Sequence, residues 1–192
     1  MEGADTRTDE ELAALVQGNN QDAFGVLMDR YQPKLMRYGR RFLGTEDSIE
    51  DVVQEVFIKA YRNIMDFDTT RRWSPWIYRI AHNAFVNALR KKDRDPLVFL
   101  DLDAIVAHSA DDTESAAERE EMRRVVERGI GKLSPAYREI IALYYLEELE
   151  YREIADVLHV PTGTVGVRLK RAREALKKHL EADPAHDSHL TP

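Results

Sequence analysis

The stretch YREIADVLHVPTGTVGVRLKRAREAL, from Tyr151 to Leu176, decides the fold. Its first eight residues put Ile154, Ala155 and Leu158 on one side of a short helix. HVPT is a turn. A second helix starts near Thr162 and ends near Leu180, with Val165, Leu169, Ala172 and Leu176 along its inner stripe. Ala155 is small where a crossing helix must come close. A short helix, a tight turn and a longer helix make a helix-turn-helix. Thr164, Arg168, Arg171 and Lys178 are left facing outward. From Thr162 to Leu180 six basic residues stand against one acid, Glu174. The stripe sits in a chain of formal net charge −7, so its purpose depends on where the other charges lie.

The charges are zoned. From Arg71 to Arg94 there are seven basic residues and one acid, Asp93. From Asp95 to Glu121 there are nine acids and one base, Arg119. Two basic patches separated by an acidic strip fit a polyanion bound at two places. The chain has 192 residues, which allows one domain or two small ones. It contains no cysteine, which excludes disulfides, thiolate metal sites and a catalytic thiol. No run approaches the ~20 apolar residues of a membrane span. The acidic start, MEGADTRTDEE, does not read as a signal peptide.

The pattern upstream is helical throughout. Thr8 and Glu11 form a capping-box signal for a first helix with Leu12, Leu15 and Val16 inward. A second starts near Asp22 and carries Phe24, Leu27, Met28, Tyr31, Leu35, Tyr38 and Phe42. Pro33 is expected to kink or break it. Ser48 is the expected cap of a third helix, whose inner face is Val52, Val53, Val56, Phe57, Ala60, Tyr61 and Ile64. Ser74 and Pro75 read as the start of a fourth, running to about Lys92. Its apolar stripe includes Trp76, Ile77, Ala81, Ala84 and Phe85. Its outer face is expected to carry Tyr78, Arg79, His82, Asn83, Asn87, Arg90 and Lys91. After an acidic, Pro-containing linker, a helix begins near Ala116, and Ser134 with Pro135 opens another.

Three surfaces carry the chemistry. Early side chains of a recognition helix enter the major groove, and later ones reach phosphates. The outer face of the fourth helix mixes arginines, amides and aromatic rings. Arginine holds phosphate, asparagine reads base edges and rings stack on unpaired bases. The third surface is acidic: Glu46, Asp47, Glu50, Asp51 and Glu55. The helix dipole stabilises acids near a helix start by ~0.3–1 kcal/mol each, and such a face also docks on a basic partner. No histidine, glycine-rich loop or nucleophile–base pair accompanies these acids, so neither a catalytic nor a metal site is expected, and no cofactor.

Three motifs, DVVQEVFIKAYRNI, WIYRIAHNAFVNALRK and GTVGVRLKRAREAL, resemble the extracytoplasmic-function (ECF) sigma factors of bacterial RNA polymerase. They come in the family's order and spacing. The resemblance implies an all-α fold of two small helical domains joined by a flexible acidic linker. Region 2 would span 9–94, the linker 95–115, and region 4, with the helix-turn-helix, 116–181. A disordered tail would span 182–192. Asp51, Gln54 and Glu55 match positions that dock on the β′ clamp coiled coil of core polymerase. Arg79, His82, Asn83, Asn87 and Arg90 lie where region 2 opens and reads the −10 element, and the loop FDTTRRW helps hold a flipped base. Thr162, Thr164, Val165, Arg168, Arg171 and Arg173 lie on the helix that reads the −35 element. The implied partners are core polymerase (including its β flap), promoter DNA and an anti-sigma factor, in the cytoplasm, with no membrane insertion.

Three positions depart from the family pattern. Gly166 and Val167 stand where a basic and a small polar residue are usual, and Glu150 replaces a Ser or Thr cap. Read from the residues alone, an ordinary helix-turn-helix regulator is the alternative, and an interaction module that mimics a sigma factor is a third reading. A regulator has no need of the Arg/Asn face on the fourth helix.

Overall fold

The structure, a computed structural model, describes residues 5–92 and 116–182. Among these residues there are eight α-helices and no strand. The chain divides into two compact units. The first holds α1 (Asp9–Gln17), α2 (Asp22–Gly39), α3 (Glu46–Asn63) and α4 (Trp73–Lys92), with a 3-10 turn at Ile64–Asp66. The second holds α5 (Ala116–Gly131), α6 (Pro135–Tyr145), α8 (Thr162–Glu181) and most of α7 (Tyr151–Leu158). The expected linker at 95–115 lies outside the described residues, as does the expected tail beyond 182. No described helix is long and apolar enough to cross a membrane.

The helix starts follow local chemistry where the partners are local. Thr8 and Glu11 close the expected capping box: the Thr8 N–H donates to Glu11 Oε2 at 2.8 Å, and the Glu11 N–H to Thr8 Oγ1 at 3.2 Å. Ser134 caps α6 with Pro135 at its first position, as expected. The other two starts differ from expectation. The cap of α3 is Thr45, not Ser48, which lies a turn inside and accepts from Thr45 Oγ1 at 2.7 Å. Glu46 and Asp47 occupy the first turn, where the helix dipole favours acids, so the helix extends back to them. The fourth helix starts at Trp73, before Ser74. Its Trp73 N–H donates to Glu10 Oε1 of α1 at 2.8 Å, a cap from 63 residues away.

Pro33 neither breaks α2 nor ends it. Proline removes the hydrogen bond to residue i−4, here the carbonyl of Asp29. Both residues lie on the exposed face, so the freed carbonyl is on the solvent side of the helix rather than in the core.

In the first unit α2 and α4 both pack on α3, and α1 packs on α2 and α4. Tyr38 lies at the centre, with the rings of Tyr78, Phe42 and Phe85 at 5.2, 5.3 and 6.0 Å. Gly39 is the tightest approach. A β-carbon there would come within 2.5 Å of Phe85 Cζ and 2.6 Å of Ile49 Cγ2. Tyr78, expected outside, is fully buried. It stands seven residues before Phe85 and three before Ala81, so the buried stripe of α4 is rotated toward it. Trp73 is buried too, while Trp76 is half-buried. Tyr61, expected inside, is 42 % exposed and lies 5.0 Å from the Phe24 ring.

In the second unit α5 and α6 both pack on α8. Val165, Leu169 and Ala172 are fully buried, as the inner stripe of α8 requires, and Leu176 is half-buried. Ile154, Ala155 and Leu158 of α7 are buried as expected, and Val157 with them. Glu150 does cap α7, with its N–H donating to Glu153 Oε2 at 2.8 Å. His159 ends α7 in the left-handed conformation, φ 53° and ψ 45°, and Pro161 precedes α8. These residues make the turn of the helix-turn-helix.

Candidate nucleic-acid interface

The fourth helix is positioned by the first turn of α1. Asp9 accepts from Arg30 Nη1 and from the Tyr31 hydroxyl, each at 2.6 Å. Glu10 accepts from the first N–H of α4. The loop before α4 is built on Asp68, whose Oδ1 accepts from the Thr70 N–H at 3.0 Å and from the Thr70 hydroxyl at 2.7 Å. Those hydrogen bonds hold the Asp68 carboxyl below its usual range. Gln17 anchors the start of this loop by donating to the carbonyls of Ile64 and Phe67 at 2.7 and 2.8 Å.

On this support, Arg79, Asn83, Asn87 and Arg90 form one exposed face of α4. None of the four has a hydrogen bond or ion pair with a described residue. Trp76 stands one turn before Arg79 on the same side, half-buried against Trp73 at 4.7 Å and Phe67 at 5.1 Å. A ring fixed on one face and open at the other, beside free amides and guanidinia, is suited to an unpaired base and its phosphates. His82 is set apart from this face. It is half-buried, with Nδ1 3.5 Å from the Tyr38 hydroxyl and its ring against Phe42.

On α8, Thr162 and Arg171 are exposed, and Thr164 and Arg168 half-exposed. Neither arginine has an ion pair with a described residue, whereas Lys170 and Lys177 reach Glu174 and Glu181 at 3.9 and 3.6 Å. The other two residues expected at this surface are placed differently, Val165 inside and Arg173 exposed on another flank of α8. Val165 is fully buried in the unit's core, because it shares the stripe of Leu169 and Ala172. Arg173 lies over the rings of Tyr144 and Tyr145, at 5.2 and 5.5 Å.

Asp51, Gln54 and Glu55 are all exposed on α3. The same side of α3 carries Ile58, 51 % exposed, and the 3-10 turn after the helix carries Met65, 69 % exposed. The sequence reading missed these two, although Ile58 shares the helix face of Asp51 by seven-residue spacing. Among the described residues no group of acids and histidines could hold a metal ion.

Comparison with known proteins matches both units. The Sigma-70 region 2 family matches residues 27–95, and Sigma-70, region 4 matches residues 123–176. The ECF RNA polymerase sigma factor SigW of Bacillus subtilis is 39 % identical over 86 % of this chain and 92 % of its own. The ECF RNA polymerase sigma-E factor of Escherichia coli is 38 % identical over 91 % of this chain and 95 % of its own. Among solved structures, CnrH in complex with the cytosolic domain of CnrY is 31 % identical and covers 91 % of this chain and 98 % of that one, with a TM-score of 0.65. The sigma factor RpoE of Bartonella quintana, solved with the anti-sigma factor NepR, shares the fold at a TM-score of 0.60 and 22 % identity. With both regions in order and relatives matched over nearly their full length, the chain belongs to the ECF sigma factors of RNA polymerase.

Proposed function

We propose that region 2 spans residues 9–94 and region 4 residues 116–181, and that each presents one face to promoter DNA. The observation that carries this reading is the Arg79–Asn83–Asn87–Arg90 face of α4, exposed and without a hydrogen bond or ion pair among the described residues, which a regulator acting only through its helix-turn-helix would not need. Thr162, Thr164, Arg168 and Arg171 meet the −35 duplex. Arg79, Asn83, Asn87 and Arg90 meet the −10 strands, with Trp76 beside them. Opening costs ~1.4 kcal/mol of stacking per base-pair step, and capture of an extruded base by an amide and an aromatic ring offsets part of it.

Core polymerase docks on the α3 face of Asp51, Gln54 and Glu55, continued by Ile58 and Met65. Sigma factors are typically initiation factors without enzymatic activity, and this chain acts by binding, in the cytoplasm where its polymerase works. The solved complex of CnrH with the cytosolic domain of a second protein supports control by a protein partner, which we assign as an anti-sigma factor.

The test is run-off transcription with purified core polymerase on genomic promoter fragments. The wild-type chain should yield discrete transcripts. Asn83→Ala should bind core normally and lose open-complex formation. Absence of any transcript from any fragment would overturn the reading.

A further inference from the structure

Gly166 and Arg173 are seven residues apart on one flank of α8, away from the face of Arg168 and Arg171. A β-carbon at 166 would meet Tyr151 Cε2 at 3.5 Å, so that ring lies against the bare backbone of Gly166. The Tyr151 ring lies 5.7 Å from Tyr144, and Tyr144 meets Tyr145 edge-to-face at 4.9 Å and 88°. Arg173, itself exposed, lies over that last pair. Three tyrosines from α6 and α7 thus border one flank of the recognition helix. A guanidinium suits the place, because it is planar, permanently charged and stacks on aromatic faces.

We propose that Arg173 is a positioning residue for −35 recognition: it holds α8 against the Tyr144–Tyr145 pair, and so sets the pose in which Thr164, Arg168 and Arg171 meet the duplex, without touching DNA itself. This rests on the reading of α8 as the −35 helix. The missing side chain at Gly166 belongs to the same contact. A side chain at 166 would run alongside the Tyr151 ring, which its β-carbon would touch at ordinary contact distance.

The experiment uses holoenzyme reconstituted from the full chain and core polymerase. Affinity is measured for a promoter with its −35 element intact or scrambled, over a series of salt concentrations. Arg173→Met should weaken binding to the intact promoter about three- to tenfold. It should narrow the discrimination against the scrambled one by the same factor and leave the salt slope unchanged. Arg173→Lys keeps the charge but loses the planar face, so it should stay impaired. Tyr145→Leu, a change at the surface that spares the fold, should give the same phenotype. Combined with Arg173→Met, it should add little, because both remove one contact. A salt slope reduced by about 0.9 in Arg173→Met, full rescue by lysine, or strict additivity with Tyr145→Leu would make Arg173 a phosphate contact and overturn the proposal. An unchanged affinity would overturn it too. Arg168→Ala and Arg171→Ala should each lower both affinity and slope. If neither does, the reading of α8 as the −35 helix fails instead.

Discussion

Gly39 and Gly166 are both helical glycines, and their surroundings give them opposite meanings. At Gly39 the space is already taken by Phe85 and Ile49. Gly39→Ala must push an aromatic ring within a packed core, and overpacking of this kind costs about 1–3 kcal/mol. Urea denaturation should show the loss in region 2. At Gly166 the nearest atom is an ordinary contact distance away, so Gly166→Ala gains helix propensity with no clash. It should stabilise region 4 by up to ~1 kcal/mol, read as a raised denaturation midpoint. Tyr31 makes a pH prediction. Burial, and then its hydrogen bond to Asp9, raise its hydroxyl well above the usual tyrosine range. The folded unit therefore holds that proton more tightly than the unfolded chain does. The stability it contributes is complete below pH ~10, where free tyrosine ionises, and falls as pH rises beyond that. Tyr31→Phe should flatten the alkaline limb of stability against pH, followed by denaturant midpoints between about pH 9 and 11.

At the scale of elements, what the sequence reveals depends on how far away the partners are. Thr8 with Glu11, and Ser134 with Pro135, declare their helices because all the chemistry lies within one turn. The start of α4 does not, since its cap is a carboxylate on α1. The functional faces divide in the same way. Arg168, Arg171 and Asn83 are legible because their exposure follows from their own helix's periodicity. Val165 is legible in the same way, as part of the inner stripe of α8. It is the family resemblance, not periodicity, that counts Val165 and Arg173 among the −35 residues. The seat of Arg173 on the Tyr144 and Tyr145 rings depends on where α6 comes to rest. Tyr78 is misread because the hydroxyl makes it look polar, though its spacing to Ala81 and Phe85 is that of a core residue. The remote cap makes a prediction of its own. Glu10→Ala should cost about 0.5–2 kcal/mol, as loss of a cap does. Its transcriptional effect should appear in open-complex formation, with −35 binding untouched, when promoter melting and duplex affinity are assayed separately.

For the molecule as a whole, the net charge of −7 conceals a division of labour. Carboxylates occupy the row of α3 that we propose docks on polymerase, and arginines without an ion pair among the described residues occupy the sides of α4 and α8 that we propose meet DNA. One basic helix per region on an acidic chain gives little non-specific affinity for DNA. The free chain should therefore give no specific shift of a promoter fragment at physiological salt, whereas the same chain with core polymerase should. A tight shift by the chain alone would contradict this. The capping of α4 from α1 also bears on where region 2 begins as a physical object. The match to the Sigma-70 region 2 family starts at residue 27, after α1 has ended. A fragment cut at that border would keep every side chain assigned here to the −10 strands. It would lack the carboxylates that fasten Arg30, Tyr31 and Trp73, so the smallest autonomous unit is longer than the stretch by which the family is recognised.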